Sequence, residues 1–158
     1  MAIWQTSIVF IPVKWAKEND FKTDSLYGED GFDTTSVWVE NKLDENYEST
    51  FDSIFPKAKS WDDEIELWGD SPTNDLSVIH EGSQIECICF RLDLRTSVFG
   101  LINSIINSAK SLNCVLFIPS QKVIIKPDLF ELKKYILESS AAKYIKNSEA
   151  FLNGSGSE

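Results

Sequence analysis

Histidine occurs once, at His80, and cysteine three times, at Cys87, Cys89 and Cys114. A single imidazole leaves little for acid–base chemistry, and an odd number of thiols makes no disulfide framework. Cys87 and Cys89 are two residues apart on the same strand face, a poor geometry for pairing with each other, so reduced, buried thiols are expected. C-x-C with one distant cysteine and one distant histidine matches no established zinc spacing, and no metal or cofactor is expected. Seven glycines and five prolines are too few for a collagenous or low-complexity chain. No apolar run approaches the ~18 residues that a membrane-spanning helix needs. G-x-S-x-G, a glycine-rich phosphate loop and H-E-x-x-H are all absent, and the chain is read as a non-enzyme. Basic residues are scarce too: 15 Lys and Arg against 25 Asp and Glu give a net charge of −10. That charge repels nucleic-acid backbones and anionic membranes, so neither is expected as a partner.

What is present suits one domain. The chain has 158 residues with 42% hydrophobic content, enough for a core without disulfides or metals. Residues 1–153 are read as the domain and Gly154 to Glu158 as a flexible linker tail. Met1 to Ser7 has no basic n-region, and Gln5, Thr6 and Ser7 interrupt its apolar stretch, so a cytoplasmic protein without a signal peptide is expected. Ile3 to Val13 reads as a strand, with Pro12 suiting its end or a sheet edge. Lys14 to Thr35 is dense in Asp, Glu, Lys, Gly and Thr and reads as a long loop. From Asp44, the spacing of Tyr47, Phe51, Ile54 and Phe55 predicts a helix that Pro56 ends.

Ile65 to Trp68, Leu76 to His80 and Ile85 to Leu94 predict an antiparallel meander. Its last strand alternates strictly, with Ile88, Phe90, Leu92 and Leu94 on one face and Cys87, Cys89, Arg91, Asp93 and Arg95 on the other; its length suits a central strand. Val98, Leu101, Ile102, Ile105, Ile106 and Ala109 predict a helix over 97–112, capped by Thr96 or Ser97. Two short strands, Cys114 to Pro119 and Lys122 to Lys126, flank Ser120-Gln121. Pro127-Asp128 then opens a helix through Leu129, Leu132, Ile136 and Leu137, and a last helix over 141–152 packs Tyr144, Ile145 and Phe151. The fold class is α+β, a mostly antiparallel sheet of five to six strands with helices mainly on one face.

Charge is unevenly placed. Residues 1–81 hold 18 acids and 6 bases, and residues 82–158 hold 7 acids and 9 bases. The densest part is Asp62, Asp63, Glu64, Glu66, Asp70 and Asp75, flanked by Trp61 and Trp68. Glu64 and Glu66 share one strand face, and the four aspartates fall at the strand ends. Three readings stay open: a solvated polar face, a Mg²⁺ or Ca²⁺ site, or an acidic recognition surface with aromatic anchors. Asp70 to Asp75 lacks the glycine and spacing of an EF-hand. Both tryptophans also suit core packing. Arg91, Asp93 and Arg95 could form an ion-pair ladder or line an anion pocket. His80, beside the Glu81-Gly82 turn, suits a hydrogen-bonded surface histidine better than a catalytic base. Lys122, Lys126, Lys133 and Lys134 make a basic area too weak for nucleic acid.

Lys59-Ser-Trp61, Glu66-Leu-Trp-Gly-Asp70, Asn74-Asp75, Arg91-Leu-Asp-Leu-Arg95, Asn113-Cys114 and Lys126-Pro-Asp128 together resemble small bacterial immunity proteins. These are the partners of polymorphic, contact-dependent and type VI secretion toxins. The resemblance spans roughly residues 55 to 140 and follows no single family. It implies a cytoplasmic protein, without catalysis of its own, that binds and neutralises a cognate toxin domain. The expected contact surface is Asp62, Asp63, Glu64, Glu66, Trp68, Asp70 and Asp75, with the acidic stretch from Asp20 to Asp44, and a basic toxin would suit it. The alternative is a small-ligand- or metal-binding enzyme with a pocket near Arg91, Asp93 and Arg95.

Overall fold

The computed structural model describes residues 1–152, and side chains through Lys146. Its strands are β1 (Gln5–Pro12), β2 (Tyr27–Gly28), β3 (Gly31–Phe32), β4 (Lys57–Ala58), β5 (Ile65–Gly69), β6 (Asp75–Glu81), β7 (Gln84–Asp93), β8 (Cys114–Ile118) and β9 (Val123–Ile125). Its helices are α1 (Val13–Glu18), α2 (Tyr47–Asp52), α3 (Phe99–Ser111), α4 (Leu129–Leu137) and α5 (Ser140–Leu152). Seven strands form one antiparallel sheet in the order β4-β5-β6-β7-β1-β8-β9, and β2 and β3 pair separately. This is an α+β fold with one or two strands more than expected. The added strand, β4, has two residues, too few to show any alternation.

The long alternating run does become a central strand: β7 pairs β6 on one side and β1 on the other. β1 is central as well, between β7 and β8. Pro12 is tolerated as its last residue, where no further ladder donor is needed. Register places Trp68, Leu76, Phe90 and Ile8 in one row across four strands, with Phe10 and Leu116 beside it. Phe51 of α2 sits on this face, its ring 5.5 Å from Trp68, 6.0 Å from Phe90 and 6.2 Å from Phe10. α3 lies alongside α2, the two sharing a groove between Ile54 and Asn107.

The opposite face corrects the long-loop expectation for Lys14 to Thr35. Phe117 points away from Leu116, and the rings of Tyr27 and Phe32 meet it edge-on at 6.1 and 5.4 Å. The Tyr27 hydroxyl donates to the Pro119 carbonyl at 2.7 Å, and Thr34 donates to the Glu86 carbonyl at 2.7 Å. Residues 13–38 therefore hold α1, the hairpin and 3-10 turns at Asp24–Leu26 and Thr35–Trp38, burying Ala16, Leu26, Val37 and Trp38. Such short pieces leave no 3.6-residue period to read.

Two further expectations change. α3 begins at Phe99 without a side-chain cap, because the Thr96 hydroxyl donates back to the Asp93 carbonyl at 2.9 Å. In α4, Leu132 and Ile136 are buried but Leu137 is exposed, one helical step of ~100° beyond the buried stripe. Asp128 caps this helix, accepting from the Glu131 N–H at 2.9 Å. In α5, Ala141 is buried and Tyr144 exposed. The packing expected of Phe151 and the 154–158 tail lie outside the described residues.

Candidate functional site

β5 divides the expected acidic cluster. Asp62, Asp63 and Glu64 precede it and Asp70 follows it, all four exposed, and five residues of strand hold the two groups ~17 Å apart. Asp75 is not at the surface. It is 1% exposed, and the Arg91 guanidinium binds it by Nε at 2.8 Å and by Nη2. Trp68 is fully buried; its indole N–H donates to Asp52 at 2.7 Å, and the Lys57 ammonium lies 4.0 Å over its ring. Both residues are thus core, not contact surface, because β5 and β6 turn them onto packed positions. Trp61 is the exposed aromatic, at 76%.

The fold adds carboxylates to the Asp62–Glu64 end that linear spacing did not join to it. Glu81 and Glu86 arrive from the β6–β7 hairpin, and Asp33 from the excursion after β3. Glu64 Oε2 accepts the Gly82 N–H at 3.0 Å, tying β5's entry to that hairpin. The Glu86 carboxyl is held above its ordinary value by burial, by a hydrogen bond to Glu81 and by the charges of Glu81, Asp33 and Glu64. The turn at Glu81-Gly82 was legible in the sequence, and what was missed is that it folds Glu86 back toward Glu64. Asp33 carried no local signal of this kind.

Arg91, Asp93 and Arg95 do not form one ladder. Arg91 pairs across the sheet to Asp75, while Arg95 binds Asp93 through Nε at 3.0 Å and Nη2 at 2.7 Å. Arg95 also stacks over Trp4 at 3.9 Å. The hydrogen bond from Arg95 holds the Asp93 carboxyl below its usual range. Each arginine is already matched to a buried carboxylate.

Glu66 is a hub on the same face of β5 as Trp68. Its Oε1 accepts from the Tyr47 hydroxyl at 2.5 Å and faces His80 Nε2 at 2.6 Å, and its Oε2 accepts from the Lys57 ammonium at 2.9 Å. Burial acts to raise this carboxyl, but hydrogen bonds from Tyr47, Lys57, Glu48 and His80 outweigh it and hold it at about 2. Tyr47 is pushed well above its ordinary value by burial and by Glu66, and Glu48 is raised by its hydrogen bond to Glu66. Tyr47 and His80 also line a cleft of about 490 Å³ between the 38–47 segment and the β6–β7 hairpin. Trp38, Leu43 and Ile85 supply apolar wall, and Asn41, Ser83 and Gln84 supply polar wall. The cleft escaped the sequence because its two sides lie some forty residues apart.

Among the described residues no group of three His, Cys, Asp or Glu side chains could hold a metal ion. Burial pushes the Cys87 thiol up to about 11 and those of Cys89 and Cys114 up to about 12, which leaves them protonated near neutrality. No helix among the described residues is long and apolar enough to cross a membrane. Compared with known protein families, with curated proteins and with solved structures, the chain finds no match.

Proposed function

We propose that this chain is an immunity-type protein that acts in the cytoplasm, binding a cognate bacterial toxin domain and neutralising it without catalysis of its own. One observation carries the reading. Asp33, Asp62, Asp63, Glu64, Glu81 and Glu86 come from separate elements to one end of the sheet, and none has an ion-pair partner among the described residues. Like charges brought together oppose folding, so the arrangement gains its value from a basic partner, for which it offers fast, salt-sensitive capture. Trp61, exposed beside Asp62, supplies an aromatic contact of the kind that anchors interfaces. The resemblance of the short motifs to immunity proteins points the same way.

The contact surface in this reading is Asp62, Asp63 and Glu64 with Asp33, Glu81, Glu86 and Trp61. Asp70 lies at its far margin, and Glu66 sits behind it. The test is survival of cells expressing the effector domain encoded beside this chain, with and without the chain co-expressed. Rescue with co-purification supports the reading. Toxicity without rescue overturns it, and a thermal shift with anionic metabolites or divalent ions then tests a small-ligand role.

A further inference from the structure

The Glu66 hub fixes the hydrogen-bonding character of the cleft beside it. An ionised carboxylate accepts only, so Tyr47 must donate its hydroxyl proton to Glu66 Oε1, and His80 must carry its proton on Nε2. Both donors are consumed by one oxygen. What Tyr47 has left for the cleft are acceptors, its phenolic lone pairs. His80 Nδ1 has no hydrogen-bond partner among the described residues and is not sealed from solvent. Glu45, Asn41 and Gln84 add further oxygens to the lining. The charges of Lys42 and Glu45 cancel within the lining, but Gly82 on the rim holds the Glu64 carboxylate, and Glu81 adjoins it. The cleft therefore has acceptors at its polar end, apolar wall from Trp38, Leu43 and Ile85, and a net negative rim.

We infer that this cleft is a receptor for a guanidinium group, presented as an arginine side chain by the protein partner. Guanidinium has donors in a planar fork and no acceptor, and its weakly hydrated faces tolerate apolar walls, which a lysine ammonium does less well. An arginine anchored in a pocket beside a field of opposite charge is a recurrent centre of binding energy at interfaces. The guanidinium specificity stands on the cleft alone, and its delivery by a protein rests on the function proposed above.

The single histidine makes the test direct, since its ring signals in NMR report one position in the whole chain. The probe is N-acetyl-arginine amide, compared with the lysine and citrulline analogues, titrated into the full chain at one fixed pH. The expected result is saturable movement of the His80 ring and Gly82 amide signals with arginine, weaker with lysine and weakest with neutral citrulline. Tyr47→Phe removes one acceptor while keeping the ring, and should weaken arginine binding several-fold. Should that variant unfold, Asn41→Ala and Gln84→Ala on the wall give the same readout without touching the hub. Equal response to all three probes, or no movement of His80 under saturating arginine amide, overturns the inference. Arginine binding without rescue in cells would leave the receptor standing and remove the immunity reading, and the reverse outcome would separate them the other way.

Discussion

At Glu66 one carboxylate holds together three elements, and its protonation should be visible in stability. Its folded value of about 2 lies below its ordinary 4.5. A depressed acid contributes stability in full above its unfolded value and loses it as pH falls through the folded one. The share due to Glu66 should therefore be intact above pH 4.5 and be lost between there and about pH 2. Glu48 and Glu86, which are raised, act with the opposite sign and soften the acid side of the curve. Comparing thermal midpoints of the wild type and Glu66→Gln across this range isolates the effect, and the gap between them should close toward pH 2. A gap that stays constant with pH would show that Glu66 acts by packing alone. The Asp75–Arg91 pair makes a second case at this scale. Arg91→Ala leaves a carboxylate that is 1% exposed without its cation, and should cost about 3 kcal/mol in chemical denaturation. Arg91→Met with Asp75→Leu should recover most of that, because a buried pair replaced by apolar groups need not destabilise.

Among the elements, α2 is the least able to stand alone. Six residues are far below the length at which a helix persists in water, so Phe51 holds it through its contacts with Phe10, Trp68 and Phe90. Phe51→Ala should cost about 4 kcal/mol. It should also release the amides of 47–52 to hydrogen exchange ahead of the sheet, and broaden the His80 signal as Tyr47 loses its position. A uniform loss of protection would place α2 inside the global unfolding unit instead. The elements readable from sequence were those with a long enough period. β7 alternates from Cys87 to Asp93, and α3 repeats its apolar stripe over thirteen residues. β4, α1 and the hairpin at 27–32 were not readable, since two to six residues carry no period and their apolar members are recruited by a sheet face that only tertiary structure creates. The cap of α3 failed for a related reason: Thr96 was claimed by the turn leaving β7. The start of α4 was readable at Pro127-Asp128, and Asp128, with no competing partner among the described residues, caps it.

Over the whole molecule, charge excess was plain in the sequence and its geography was not. Asp62, Asp63 and Glu64 were visible as a run, but the strand that follows them separates Asp70 and buries Asp75 and Trp68. Chain reversal at the Gly82 turn then brings Glu81 and Glu86 to the same end. This geography makes a prediction that composition alone cannot. Asp63→Lys with Glu64→Lys changes the charge at the crowded end, whereas Asp70→Lys changes it beyond the other end of β5. With the cognate domain, the double variant should slow association about tenfold or more at low salt, with little change in dissociation and a flatter salt dependence. Asp70→Lys should slow it far less, being separated by more than the Debye length of ~8 Å at physiological ionic strength. Asp70→Lys sits on an exposed position and should keep its stability within about 0.5 kcal/mol, while the double variant also loses the Gly82 N–H to Glu64 hydrogen bond and should cost about 1 kcal/mol. Stopped-flow association at two ionic strengths decides the matter: equal effects from the two ends would mean that the partner senses only net charge, and the focused acidic surface would have no role in recognition.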